Sequence, residues 1–214
     1  MPHANGRNAI LQRAIELAHE VGPVAVHPNE ICAELGLSKS LVNFHFGGRD
    51  GLISEAIVES YRMYVAEITT VSEAAGDDPI ARLMAWVDAQ VAWTIAHPGL
   101  AAALNFPAEA SSVAAGWPDA LAEELGAIFK INFENMQNLV RAARVAVRGD
   151  QPSAKASDDP VEVALDASLV GWITLGLSVF SAGKHLPSAD SGLRVFLPEA
   201  TEHVKAEILA VLAR

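Results

Sequence analysis

The sequence predicts an all-α fold, on three observations. β-branched residues do not cluster with period two, whereas Ala, Leu, Glu and Gln recur at helical spacing. Pro and Gly cut the chain into about nine helical segments. Hydrophobic residues make up 51% of the 214 and charged residues only 19%, a composition that folds around a core.

Taken in order, residues 8–21 set Ile10, Leu11, Ala14, Leu17, Ala18 and Val21 at three- and four-residue steps, opposite Arg13, Glu16 and Glu20. Gly22 and Pro23 end that helix. A short helix opens at His27-Pro28, with Pro in the first turn where its missing N–H costs nothing, and Gly36 closes it by accepting a left-handed backbone. Ser38 is a good N-cap for the next short helix, over 39–44. A long helix over 48–70 then carries Leu52, Ile53, Ala56, Ile57, Tyr61, Tyr64, Val65 and Ile68 on one side. Residues 79–97 and 118–148 form two more long helices. On the second, Lys130, Glu134, Gln137, Arg141 and Arg148 share a stripe, with Leu125, Phe129, Asn132, Met136 and Leu139 roughly opposite. Residues 151–159 read as a solvated linker. The helix over 160–183 is apolar nearly all round, which requires burial on two sides, and a last helix spans 199–213.

The charge balance narrows the function classes. Against 15 Lys+Arg stand 26 Asp+Glu, a net charge of −11, so bulk attraction to phosphates cannot hold this chain to nucleic acid. The imbalance is uneven, however. Up to Leu52, four basic residues (Arg7, Arg13, Lys39, Arg49) meet five acidic ones (Glu16, Glu20, Glu30, Glu34, Asp50), leaving ten of the eleven excess negative charges beyond that point. A single cysteine, Cys32, excludes an internal disulfide and a Cys-based zinc cluster; it suits core packing, with redox sensing as the other reading. The N-terminus lacks the apolar core of a secretory signal, and the uncharged stretch 167–183 falls short of the roughly 20 residues of a membrane span. The expected location is the cytoplasm, with no membrane partner. HExxH, phosphate-loop, GxSxG and dinucleotide glycine patterns are missing, as is any cluster of metal ligands, so neither an enzyme nor a metal or other cofactor is expected.

Two short helices joined through Leu35-Gly36-Leu37-Ser38 have the form of a helix-turn-helix, whose second helix enters the major groove of DNA. That helix offers Lys39, Ser40 and Asn43, Asn being suited to adenine and Lys to guanine or phosphate, while Ile31, Leu35, Leu37, Leu41 and Phe46 supply the small core beneath. Residues 10–52 resemble the N-terminal domain of the tetracycline-repressor (TetR) family of bacterial transcriptional regulators. The likeness runs from Ile10-Leu11, Ala14 and Gly22 through Ile31-Cys32-Ala33-Glu34-Leu35-Gly36-Leu37-Ser38 to His45-Phe46-Gly47-Gly48-Arg49-Asp50-Gly51-Leu52.

The resemblance implies a DNA-binding domain over 1–52 and a helical ligand-binding and dimerisation domain over 53–214. It implies a homodimeric repressor released from a palindromic double-stranded DNA operator by a small effector. The DNA contacts are then expected from Arg7, His27, Ser38, Lys39, Ser40, Asn43, Phe44, His45 and Arg49. The family's usual Tyr is replaced by Asn43, its Lys by Arg49 and its Thr or Ser by His27. Arg49 can still hold a phosphate with the help of the helix N-terminus. His45 is a phosphate donor or a partly buried packing residue. With few cations in the module, the salt dependence of binding is expected to be shallow.

For the effector pocket the candidates are Trp86, Gln90, Trp93, Phe106, Phe129, Asn132, Phe133, Met136 and Trp172, a set that suits a largely apolar ligand if these side chains are not simply core. Asn132 either ties two helices together or anchors a polar group of the ligand. In the family the last two helices pair across a dyad, so Ala164, Ala167, Ser168, Gly171, Leu175 and Ser178, with Val204, Ile208 and Val211, are the expected dimer interface.

Overall fold

The computed structural model describes residues 2–100, 119–149, 159–182 and 197–214. Eight α-helices and one 3₁₀ turn occupy them, and no strand is present among the described residues. The helices are α1 (Pro2–Val21), α2 (Pro28–Glu34), α3 (Ser40–Phe46), α4 (Arg49–Ala74), α5 (Pro79–Ala96), α6 (Asp119–Arg148), α7 (Pro160–Ala182) and α8 (Leu197–Leu212). The chain divides into two compact units, one of residues 1–64 with 96–128 and the other of 65–95 with 129–214.

In the first unit the apolar stripe of α1 is buried at Ile10, Ala14 and Ala18, half-buried at Leu11 and Leu17, and exposed at Val21, where the helix ends. Ile15 is buried as well, together with Val26, Ile31, Cys32, Val42, Phe46, Leu52, Ile53, Ala56 and Ile57. The helix starts earlier than the periodicity indicates, at Pro2 rather than Asn8. Contacts distant in sequence explain the difference: Gly6 is buried where even a Cβ would already touch Leu37 and Leu41, and Arg7 ion-pairs with Glu55 on α4. Gly22 ends α1 at φ +100°, its N–H donating to the Ala18 carbonyl at 3.1 Å. Gly99 then comes so close to this end that a Cβ on it would lie 2.7 Å from the Ala18 carbonyl oxygen, a contact real side chains do not make. His97 follows the same approach, its ring meeting that of His19 edge-on at 4.3 Å.

In the second unit, Asp78 caps α5 by accepting from the Ile80 N–H at 3.0 Å, and Asp159 caps α7 by accepting from the Val161 N–H at 2.8 Å. The buried face of α5 is formed by Leu83, Trp86, Val87, Ala89, Gln90, Val91, Trp93 and Thr94. Arg144 of α6 is 2% exposed and joins two carboxylates of α7, Asp166 at 2.5 Å and Glu162 at 2.9 Å. The far end of α6 is tied by Arg148, whose Nε donates to the Leu212 carbonyl of α8 at 2.8 Å, and α7 packs against α8. Residues Pro160–Ser178 of α7 are long and apolar enough to cross a membrane by length and composition. Its buried Thr174 and Ser178 return their hydroxyls to the carbonyls of Val170 and Thr174, and its two acids hold Arg144.

Candidate nucleic-acid interface

The helix-turn-helix is built as the spacing requires. The α2–α3 joint turns on Gly36, at φ +65°, and the Leu37 N–H donates to the Cys32 carbonyl at 2.8 Å, satisfying an end of α2. Ser38 sits one residue outside the place expected of a cap. α3 begins at Ser40, but the Ser38 hydroxyl still lies 3.4 Å from the Ser40 N–H and 2.8 Å from the Ser40 hydroxyl. Gly47, at φ +73°, closes α3 with its N–H on the Asn43 carbonyl at 3.1 Å. Val42 and Phe46 turn inward from this short helix. Lys39, Ser40, Asn43 and Phe44 turn outward, and Phe44 is 78% exposed.

The four cations of this segment are not equally available. Arg7, expected ahead of the first helix, lies within α1; besides its pair with Glu55 its guanidinium stands 5.1 Å over the Phe46 ring. Arg13 bridges Glu34 of α2 at 3.0 Å and Glu16 at 3.3 Å, and these partners, Glu34 first, raise its pKa. Arg49 donates through Nε to the Val26 carbonyl at 3.1 Å and through a terminal nitrogen to the Val24 carbonyl at 2.8 Å. It thus closes the connection between α1 and α2. Lys39 alone among the four shows no side-chain ion pair or hydrogen bond among the described residues. Three of the four cations are therefore held by the fold's own carboxylates and carbonyls, and the ammonium of Lys39 stands unpaired beside the exposed face of α3.

His27, His45 and Cys32 differ in exposure. His27 is exposed and caps α2 without a side-chain hydrogen bond. His45 is half-buried, its ring edge-on to Phe44 at 4.8 Å and its Nε2 buried without a partner, which fits the packing reading better than the phosphate one. Cys32 is fully buried and burial pushes its thiol pKa up, so it stays protonated as a packing residue.

The pocket candidates do not converge to the same degree. Trp86, Gln90, Trp93 and Met136 are buried, and the Oε1 of Gln90 has no donor among the described residues. Asn132 is half-buried, whereas Phe129, Phe133 and Trp172 are exposed, Trp172 by 75%. Phe106 lies outside the described residues. A cavity of about 240 Å³ in the second unit takes only Trp86 from the set; Thr69, Glu73, Arg82, Asn135 and Asn138 are among its other walls, a polar lining that the helical periodicity did not single out.

Of the expected interface residues, Ala167, Ser178 and Ile208 are already buried within the subunit, and Ala164, Ser168, Gly171, Leu175, Val204 and Val211 are half-buried. The apolar surface that α7 leaves open is instead Val161, Leu165, Leu169 and Trp172. Among the described residues no three His, Cys, Asp or Glu gather as metal ligands.

Comparison with known proteins accords with this geometry. Residues 10–56 match the family model of bacterial regulatory proteins of the tetR family. No curated protein matches the chain in sequence. The fold is shared with solved structures over nearly the whole length. A bacterial regulatory protein in the tetR family from Rhodococcus RHA1 aligns with a TM-score of 0.62 at 20% identity, over 94% of this chain and 95% of that one. The fatty acid degradation regulator FadR from Bacillus halodurans aligns with a TM-score of 0.62 at 12% identity, over 93% and 97%. The ketosteroid transcriptional regulator KstR2 of Mycobacterium tuberculosis aligns with a TM-score of 0.57 at 14% identity, over 94% and 93%.

Proposed function

With residues 10–56 forming the tetR-family DNA-binding domain on a TetR-like fold, we propose that the chain is a ligand-responsive transcriptional regulator, a dimeric repressor that leaves a palindromic operator when a small effector binds. It works without catalysis, in the cytoplasm. The observation that carries this reading is the outward face of α3, where the side chains of Lys39, Ser40, Asn43 and Phe44 are exposed while Val42 and Phe46 anchor the helix from behind. Lys39 meets a phosphate or guanine, and Asn43 takes adenine or the backbone contact of the Tyr it replaces. Arg49 adds what its carbonyl contacts leave over.

The effector is small and largely apolar. Support comes from Trp86, Trp93, Leu83 and Val87, buried on α5 together with Gln90, whose oxygen has no donor among the described residues. Dimerisation through α7 and α8 is supported by the open stripe of Val161, Leu165, Leu169 and Trp172, which a second copy would cover.

Titration of labelled DNA from upstream of the protein's own gene tests the reading, at two salt concentrations, with the wild type and Lys39→Ala. Sequence-specific binding is expected, weakened in the variant, with the salt slope reduced by about 1 for each subunit's lost phosphate contact. Absence of specific binding by the wild type refutes the regulatory role.

A further inference from the structure

An exposed phenylalanine in the middle of a polar helix face is costly to leave in water, and here it lies on the outward face of α3. Phe44 is four residues from Ser40 and Asn43 four from Lys39, so the four exposed side chains form two adjacent rows along the outward side of α3. The ring takes no part in the core, being 78% exposed, and it is steadied edge-on against His45 at 4.8 Å, with His45 itself half-buried. An apolar ring has one sequence-specific feature to meet in the major groove, the C5-methyl group of thymine. Phosphates offer it nothing.

We propose that Phe44 is a specificity residue that selects thymine in each half-site by packing against its methyl group, beside the polar readers Lys39, Ser40 and Asn43. The proposal rests on the DNA-binding reading and assigns it one base. Because a methyl group is the whole contact, the discrimination is against any base lacking a methyl at that place, uracil included. Burying one methyl-sized group corresponds to about fourfold in affinity. Two half-sites read by one dimer compound this to about fifteenfold.

The test begins with selection of binding sites from a random-sequence duplex library by the full-length wild type. The enriched duplex is then remade with deoxyuridine at each thymine in turn, pairwise in the two half-sites, and titrated with wild type and Phe44→Ala. One symmetric pair of thymines is expected to lose about fifteenfold when demethylated with the wild type, and the variant is expected to bind thymine and uracil duplexes alike. Since Phe44 touches no core residue, unchanged circular dichroism and melting of the variant are expected. Wild-type affinity indifferent to every demethylation, or equal losses in wild type and variant, would overturn the assignment while leaving DNA binding intact. Failure to enrich any sequence would overturn the DNA-binding reading and this inference with it.

Discussion

Replacing Asp166 with Ala removes the closer of the two carboxylates that hold a guanidinium 2% exposed, while leaving that guanidinium in place. Arg144 then keeps only Glu162, at 2.9 Å, a side chain 57% exposed and able to share its charge with water, and the Nε of Arg144 already lacks an acceptor. Breaking a buried ion pair on one side costs about 3–5 kcal/mol. The surviving Glu162 contact places the expected loss for Asp166→Ala near the lower end, about 3 kcal/mol. Arg144→Met differs because it removes the buried charge itself. The two acids left behind, 57% and 21% exposed, can turn to solvent, and an apolar chain of similar length fills the space. Its expected cost is below about 1 kcal/mol. The assay is urea unfolding followed by far-ultraviolet circular dichroism at one fixed protein concentration, since association would otherwise shift the midpoint. A difference of about 2 kcal/mol moves the midpoint by about 1 M at ordinary m-values. The double variant should match Arg144→Met alone, because Asp166 loses its importance once the guanidinium is gone. If Arg144→Met proves as costly as Asp166→Ala, or the two losses add, the buried charge is not the source of the penalty and the reasoning fails.

Three further perturbations have defined outcomes. Burial, and secondarily the neighbouring His97, pushes the His19 pKa down to about 4 from 6.5. The unfolded chain therefore takes up a proton that the folded one refuses, and stability present above pH 6.5 should drain away toward pH 4, by at most about 3 kcal/mol; His19→Gln should flatten that part of a melting-versus-pH curve, and an unchanged slope counts against it. Gly99→Ala should lower stability by about 1–3 kcal/mol, because the new methyl must displace the backbone at the end of α1; a melting temperature equal to wild type would show that the approach is looser than it looks. Trp172→Lys should convert a sedimenting dimer into a monomer without unfolding it, and a wild type already monomeric at micromolar concentration would remove the dimer from the proposal.

The parts of the molecule governed by local rules are legible in the amino-acid sequence. Pro28 and Gly36 bracket α2, Gly47 stops α3, and the four-residue rhythm of Ile10, Ala14 and Ala18 faces the core as expected. What is not legible depends on partners far along the chain. Arg7 looks like a tail residue until Glu55, 48 positions away, claims it. Nor does the sequence show that Arg49, besides standing where a phosphate ligand is expected, donates to the carbonyls of Val24 and Val26. The rotation of α7 is undetermined by pattern for a different reason: a helix apolar nearly all round gives periodicity no preferred side, so Ala167 and Ser178 turn inward and Val161 and Trp172 outward. On α6, the charged stripe points to an inward Phe129 that the structure leaves exposed, and Arg144, a formally charged residue, takes the buried place instead.

The division of labour on α3 bears on how such a protein changes over generations. Its inner side chains, Val42 and Phe46, are committed to holding the helix, while Lys39, Ser40, Asn43 and Phe44 contribute almost nothing to folding. Surface replacements of that sort typically alter stability by no more than about 0.5 kcal/mol. If this face reads DNA as proposed, its vocabulary can therefore drift almost freely, one letter at a time, without the scaffold ever approaching the threshold below which it would be lost, and a duplicated copy could acquire a new address in the genome before it acquired anything else.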